Sequence, residues 1–177
     1  MHSINIIASK IIRNKIAGIN LGLLVASGAR ISKSDTDFDQ HFNSLSNKLK
    51  TLFADQRPST NSIVGHVRRM YRRIGWEPTQ YRPSSEAMIR RFLRDKGLYR
   101  INNAVDLGNV TSTRFHLPMG LYDAEKIEGS IYVDVGEEGE EYQGISQDVI
   151  HAEGKLVLRD EEGIFGNPTA DSIRTSI

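Results

Sequence analysis

Four polar residues, Asn102, Asp106, Asn109 and Thr113, recur at i, i+4, i+7 and i+11, the spacing of one stripe along a helix. Amide and hydroxyl side chains on such a stripe do not make a strong nucleophile. They offer hydrogen-bond donors and acceptors, as the floor of a ligand site would. Gly108 sits beside Asn109, and a glycine inside a helix costs ~1 kcal/mol relative to alanine. That pairing suggests that something approaches the backbone closely there. A structural reading of the same residues stands beside this one: Asn103 as an N-cap with Asp106 three residues on is a variant of the capping box.

A second set of chemistry-bearing residues is basic. Arg68, Arg69, Arg72 and Arg73 crowd one side of a candidate helix, and Arg90, Arg91 and Arg94 crowd the next. Guanidinium forks match phosphate oxygens and supply sequence-independent affinity for nucleic acid. Tyr71, Trp76 and Tyr81 are interleaved with them, as stacking platforms for unpaired bases would be. The alternative is electrostatic compensation within the fold. Residues 57–100 hold eleven Lys/Arg against three Asp/Glu, while residues 101–177 hold five against fifteen, although the whole chain is only +1.

Other chemistries find no support. The chain has no cysteine, which excludes disulfides, thiol catalysis and thiolate-held metals. None of the five histidines pairs with another at i,i+4, so no metal site is expected. Asp35, Asp37 and Asp39 have the alternation of a calcium loop, but Gln40 and Ser46 stand where that loop needs Gly and Glu. These acids fit a helix N-terminus better. No cofactor motif is present.

The elements that would carry these residues follow from periodicity. Residues 15–26 alternate through Ile19, Leu21, Leu23 and Val25 and read as a buried strand. Lys10, Arg13 and Lys15 ahead of this run loosely mimic a signal peptide, but Asn20 interrupts it, and no run reaches the ~18 apolar residues of a membrane span. Helices are expected over about 36–53 (Phe38, Phe42, Leu45, Leu49 and Leu52 on one face), 61–74 (Ile63, Val67, Met70 and Ile74 inward) and 84–96, with Ser84 as N-cap and Gly97 past its end. GSIYVDVGEEGEEYQGIS reads as a hairpin turning at Gly136–Gly139, and GKLVLRDEEGIFG as a further strand and turn. The expected class is α+β: one domain over residues 1–177, with a mixed or antiparallel sheet and helices packed on one side.

The stretch RINNAVDLGNVTSTRFHLPMGLYDAEKIEG contains N-N-x-V-D-x-x-N followed by D-x-x-K-I-x-G. It resembles the editing domain (B-three/B-four) of the phenylalanyl-tRNA synthetase beta subunit. YRPSSEAMIRRFL, GEEGEEYQGI and LVLRDEEGIFGNPTADSIRT resemble flanking segments of that family, so the likeness runs from about Arg57 to Thr175. The resemblance implies a stand-alone, cytoplasmic member that hydrolyses mischarged aminoacyl-tRNA, with tRNA and an amino acid as partners and no cofactor. In the synthetase, the domain removes tyrosine misattached to the phenylalanine tRNA; free-standing relatives need not share that specificity.

Carried over by position, Asn109 matches the pocket Asn, Asn103 and Asp106 match the framework of the motif, and Gly163 and Gly166 match the glycine turn that lines the pocket. Gly108 and Gly120 depart from the bacterial pattern, which has Thr and a pocket His there; Gly120 precedes the aromatic-acid pair Tyr122–Asp123. Asn109 is thus the catalytic candidate, and Asn103, Asp106, Gly108, Gly120, Tyr122, Gly163 and Gly166 are the substrate-binding candidates. The resemblance also implies continuation past Ile177, where the acid that recognises a tyrosine hydroxyl would lie. Three readings stay open: a deacylase, a non-enzymatic amino-acid or RNA-binding module with the same pocket, and an inactive scaffold.

Overall fold

The computed structural model describes residues 4–177. Its elements, in chain order, are β1 (Ile6–Ala8), α1 (Lys10–Lys15), α2 (Asp37–Leu52), α3 (Ser62–Arg73), α4 (Ser84–Phe92), α5 (Asn103–Phe115), β2 (Ile131–Val135), β3 (Glu141–Gln143), β4 (Val149–His151), β5 (Leu156–Asp160), β6 (Gly163–Asn167) and β7 (Ala170–Asp171). Helices together with a mixed sheet make the class α+β. The chain divides into two compact units, each assembled from separated segments.

Of the described residues, the strand unit takes 4–20, 69–81 and 120–177. Its five-stranded sheet has the order β1-β2-β5-β6-β7. β1 runs parallel to β2, and the remaining pairs are antiparallel. β3 and β4 form a separate two-stranded ladder. Along β2, Ile131 and Val133 point into the core while Tyr132 is exposed, the alternation of a strand with one buried face. Tyr142, Ala152, Val157 and Ile164 form the hydrophobic cluster beneath.

Two expectations fail here. Residues 15–26 are not a strand: α1, capped by Ser9 accepting from the Ile12 N–H at 3.2 Å, ends at Lys15, and a turn follows at 17–18. Leu21, Leu23, Leu24 and Val25, which belong to the other unit, are exposed and carry no regular structure. Gly18 and Gly28 take positive φ on either side of them, which breaks the extended period. The N-terminal strand of the sheet is instead the three residues Ile6–Ala8. The hairpin expected around Gly136–Gly139 does not form either. β2 pairs with β5, from Tyr132 opposite Arg159 to Val135 opposite Leu156, and β3 pairs with β4. The hairpins that do form join β3 to β4, β5 to β6 and β6 to β7.

The helical unit takes residues 21–68 and 82–119. Its core is Leu45, Leu49, Phe53, Val64, Ile89 and Phe92, edged by Phe42, Leu93, Leu98 and Val110. The expected face of α2 is largely realised, except that Leu52 is exposed. In α3, Val67 is buried as expected, but Ile63 is exposed and Val64 takes the core position instead; Ile74, expected on the same helix, is buried but lies past its end. The three acids of the D-x-D-x-D run do serve a helix start: Asp35 accepts from the Phe38 N–H at 3.2 Å, and Asp37 and Asp39 lie in the first turn. α4 begins after Pro83, so Ser84 is its first residue and not its cap, and it ends at Phe92, short of the expected 96.

Candidate functional site

The polar stripe does lie on a helix, α5, and its start is held firmly. The N-cap is Asn102 rather than Asn103: its side chain accepts from the Val105 N–H at 2.8 Å. Asn103 clamps a distant segment instead. Its amide donates to the Arg30 carbonyl at 2.9 Å and accepts from the Ser32 N–H at 3.1 Å, and its own backbone N–H bonds to the Ser32 carbonyl. Asp106 is buried and accepts from the Ile101 N–H at 3.0 Å, from the Ser34 hydroxyl at 2.5 Å and from Arg100 Nε at 3.0 Å. Arg100 also reaches Asp39 at 2.7 Å and lies over the Phe38 ring. The side chains of Asn103 and Asp106 are therefore spent on holding the chain to itself.

Asn109 is placed differently. It is half-buried, and its carbonyl accepts from the Thr113 hydroxyl at 2.7 Å. Its side-chain amide makes no hydrogen bond to the described residues, so both of its polar atoms remain available. Gly108, beside it, is also half-buried.

In the strand unit, three of the sequence-derived candidates meet. The Tyr122 hydroxyl lies against Gly120 and Gly166, where a Cβ on either glycine would collide with it. That hydroxyl donates to Asp171 Oδ1 at 2.7 Å, and the ring packs edge-on to Phe165 with centroids 4.9 Å apart. The two glycines thus make room for Tyr122 itself. Close by in sequence, Asn167 donates to the Tyr142 hydroxyl at 2.7 Å, which in turn donates to the Ala170 carbonyl at 2.6 Å. Burial pushes the Asp171 carboxyl up to about 6, although the Tyr122 hydrogen bond favours its charged form. The Tyr122 phenol is held well above its ordinary value by burial and by the Asp171 charge.

Gly163 opens β6 directly after the β5–β6 turn, and its N–H donates to Asp160 at 3.2 Å. Asp160 is buried and also accepts from Arg174 at 2.8 Å. Burial alone would raise its carboxyl, but the Arg174 hydrogen bond and two backbone donors outweigh it and hold the group below its usual range. Gly163 lines an open groove of about 360 Å³ with Glu140, Tyr142, Ile164, Ser172 and Arg174. Asp171 was missed by sequence reasoning. A lone Asp in TADSIR carries no motif, and only the partnership with Tyr122, 49 residues away, marks it.

The arginines separate into distinct environments. Arg68 donates to the fully buried Glu86 carboxylate at 2.9 Å, and Arg90 reaches the other oxygen at 2.8 and 3.0 Å. Arg91 donates to the Gly97 carbonyl and lies over Tyr99, and Arg72 contacts Glu77 at 3.9 Å. Arg69, Arg73 and Arg94 are exposed. The expectation that Tyr71 and Trp76 stack on bases fails: both are buried and stack on each other, with ring centroids 4.3 Å apart. Acidic residues of the C-terminal run pair with arginines of that same run, Arg159 with Glu140 and Arg174 with Asp160 and Glu162. Among the described residues, no group of three or more His, Asp or Glu side chains is placed to hold a metal ion, and no helix is long and apolar enough to cross a membrane.

The B3/4 domain profile matches residues 66–177, more than half of the chain. The chain belongs to the B3/4 domain family. This B3/4 protein is similar to phenylalanine–tRNA ligase beta subunits. It is 28% identical over 90 residues to that of Neisseria meningitidis serogroup B, covering 50% of this chain and 11% of the subunit. It is 39% identical over 69 residues to that of Bartonella henselae, covering 38% and 9%. With the subunit of Fusobacterium nucleatum subsp. nucleatum it shares 34% over 71 residues, covering 40% and 9%. The matched part of the B3/4 protein thus spans about a tenth of each relative's length.

Proposed function

We propose that this B3/4 protein binds tRNA and hydrolyses the ester of a mischarged aminoacyl-tRNA in the cytoplasm. The observation that carries the reading is the B3/4 match over residues 66–177, shared with subunits whose name is that of a tRNA ligase. Asn109 is the polarising donor: its amide is the polar group of the α5 stripe that the fold does not use. An aminoacyl ester is already activated, so a donor aimed at the developing oxyanion and an oriented water are enough, with no covalent nucleophile. In this reading Gly108, Tyr122 and Gly163 bind substrate, Gly120 and Gly166 act by seating Tyr122, and Asn103 and Asp106 position α5.

The test is a deacylation screen against a panel of mischarged tRNAs. We expect hydrolysis of at least one, and we expect Asn109→Ala to slow it by ~10²–10³ while the melting temperature stays unchanged. Full activity in Asn109→Ala would remove the catalytic assignment. The second reading is an amino-acid or RNA-binding module without hydrolysis. It is favoured by Gly108 and Gly120, which stand where the bacterial pattern that this chain resembles has Thr and a pocket His. Tight amino-acid binding with no hydrolysis of any mischarged tRNA would establish it in place of the first.

A further inference from the structure

We propose that Arg82 and Arg90, arranged around Glu86, form a site for a backbone phosphate of an RNA strand; the proposal rests on the tRNA-binding part of the reading above. Glu86 lies in the first turn of α4, and its side chain is 0% exposed. Both of its oxygens are already satisfied: Oε2 accepts from Arg68 at 2.9 Å, and Oε1 accepts from Arg90 Nε and Nη2 at 3.0 and 2.8 Å. A buried carboxylate needs no more than this to be neutralised and hydrogen-bonded.

A third guanidinium is nevertheless present. Arg82 Nε lies 3.8 Å from Oε1, beyond hydrogen-bonding distance, and its side chain is 41% exposed. Arg68 and Arg90 already hold the two oxygens of Glu86, so the Arg82 charge exceeds what that carboxylate takes up. Arg82 contributes little to Glu86 and is repelled by Arg90, which holds the same oxygen. Arg82 is thus placed to take a second anion beside Glu86.

The unused donors specify which anion fits. Arg90 is 27% exposed and commits only Nε and Nη2 to Glu86, and Arg82 makes no hydrogen bond among the described residues. Two guanidinium edges brought to one carboxylate oxygen offer the forked, charge-assisted donors that phosphate oxygens accept. The start of α4 adds to the positive potential, because Pro83 supplies no side-chain cap and Ser84 Oγ is buried without a hydrogen-bond partner. Arg94, exposed just past α4, extends the basic surface as a polynucleotide requires and a lone phosphate does not.

The experiment measures binding of uncharged tRNA across a salt series, for the unaltered chain, Arg82→Gln and Arg82→Lys. Because the tRNA is uncharged, the result does not depend on hydrolysis, and a protein inactive on every mischarged tRNA can still show the site. We expect Arg82→Gln to weaken binding and to flatten the plot of log K against log salt by about 0.7–0.9, one phosphate contact, at an unchanged melting temperature. Arg82→Lys should keep the slope but bind more weakly, having charge without the fork. A wild-type slope and affinity in Arg82→Gln, or no binding of uncharged tRNA by the unaltered chain, overturns the proposal. So does thermal stabilisation by inorganic phosphate that Arg82→Gln abolishes while tRNA binding is untouched, because it assigns the site to free phosphate.

Discussion

Asp171 is the residue whose ionisation should be visible in the behaviour of the whole protein. Its carboxyl is raised from the ordinary 3.8 to about 6, chiefly by burial. A folded-state value above the unfolded one means that the folded chain holds the proton more tightly. The stabilising contribution is therefore complete below about pH 4 and is lost as pH rises through 6. We expect this group to cost on the order of 2 kcal/mol between those pH values, allowing for its partial exposure. Denaturant unfolding at a series of pH values will show it, and Asp171→Asn should flatten that part of the profile and be the more stable chain at pH 7. Tyr122→Phe should move the inflection higher, since the lost hydrogen bond favours the carboxylate. An unmoved inflection in Tyr122→Phe would mean that the two groups are not coupled.

At the scale of the element, α5 is defined by what secures its first turn. Asn102 caps it, and Asp106 gathers Ile101, Ser34 and Arg100 onto one buried carboxylate. Asp106→Ala would leave the Ile101 N–H and the Ser34 hydroxyl without their acceptor, while Arg100 keeps Asp39. We expect a loss of about 3 kcal/mol. For a chain of this size, that is a fall in melting temperature of roughly 6–12 °C. Calorimetry of Asp106→Ala beside Asn109→Ala separates the two members of the stripe, since the second should melt with the unaltered chain. Comparable destabilisation by both would make the whole stripe structural.

For the whole molecule, the charge asymmetry is the decisive quantity. Within the C-terminal run Arg159 holds Asp134 and Glu140 and Arg174 holds Asp160 and Glu162, so these four acids do not draw on the basic helices. The arginines of α3 nonetheless differ from one another. Arg69 and Arg73 are exposed, whereas Arg68 is tied to Glu86. The double variant Arg69→Ala/Arg73→Ala should lower the salt slope of RNA binding by about 0.7 per lost single-strand contact, with no change in stability. Arg68→Ala should instead destabilise the fold by about 3–5 kcal/mol, because it removes one partner of a buried carboxylate. A salt slope that survives the double variant would place the RNA contacts elsewhere.

The amino-acid sequence by itself determined what depends on near neighbours along the chain. α2, α3 and α5 were legible because a helix repeats every 3.6 residues and its caps lie within four, as at Asp35 and in the polar stripe. The family was legible because N-N-x-V-D-x-x-N and D-x-x-K-I-x-G are contiguous motifs. Tertiary structure decided whatever rests on partners far apart in sequence. The alternation at 15–26 carried a strand's period, yet a strand needs a neighbour, and the parallel position beside β2 went to Ile6–Ala8. β2 and β3 flank a plausible turn, yet β2 pairs with β5, because register and partner are set by the faces that bury together. The fates of single side chains followed the same rule. Glu86 looked like a helix-start charge and became the buried centre of three arginines, and Asp171, anonymous in the chain, acquired a perturbed carboxyl only when folding buried it against Tyr122.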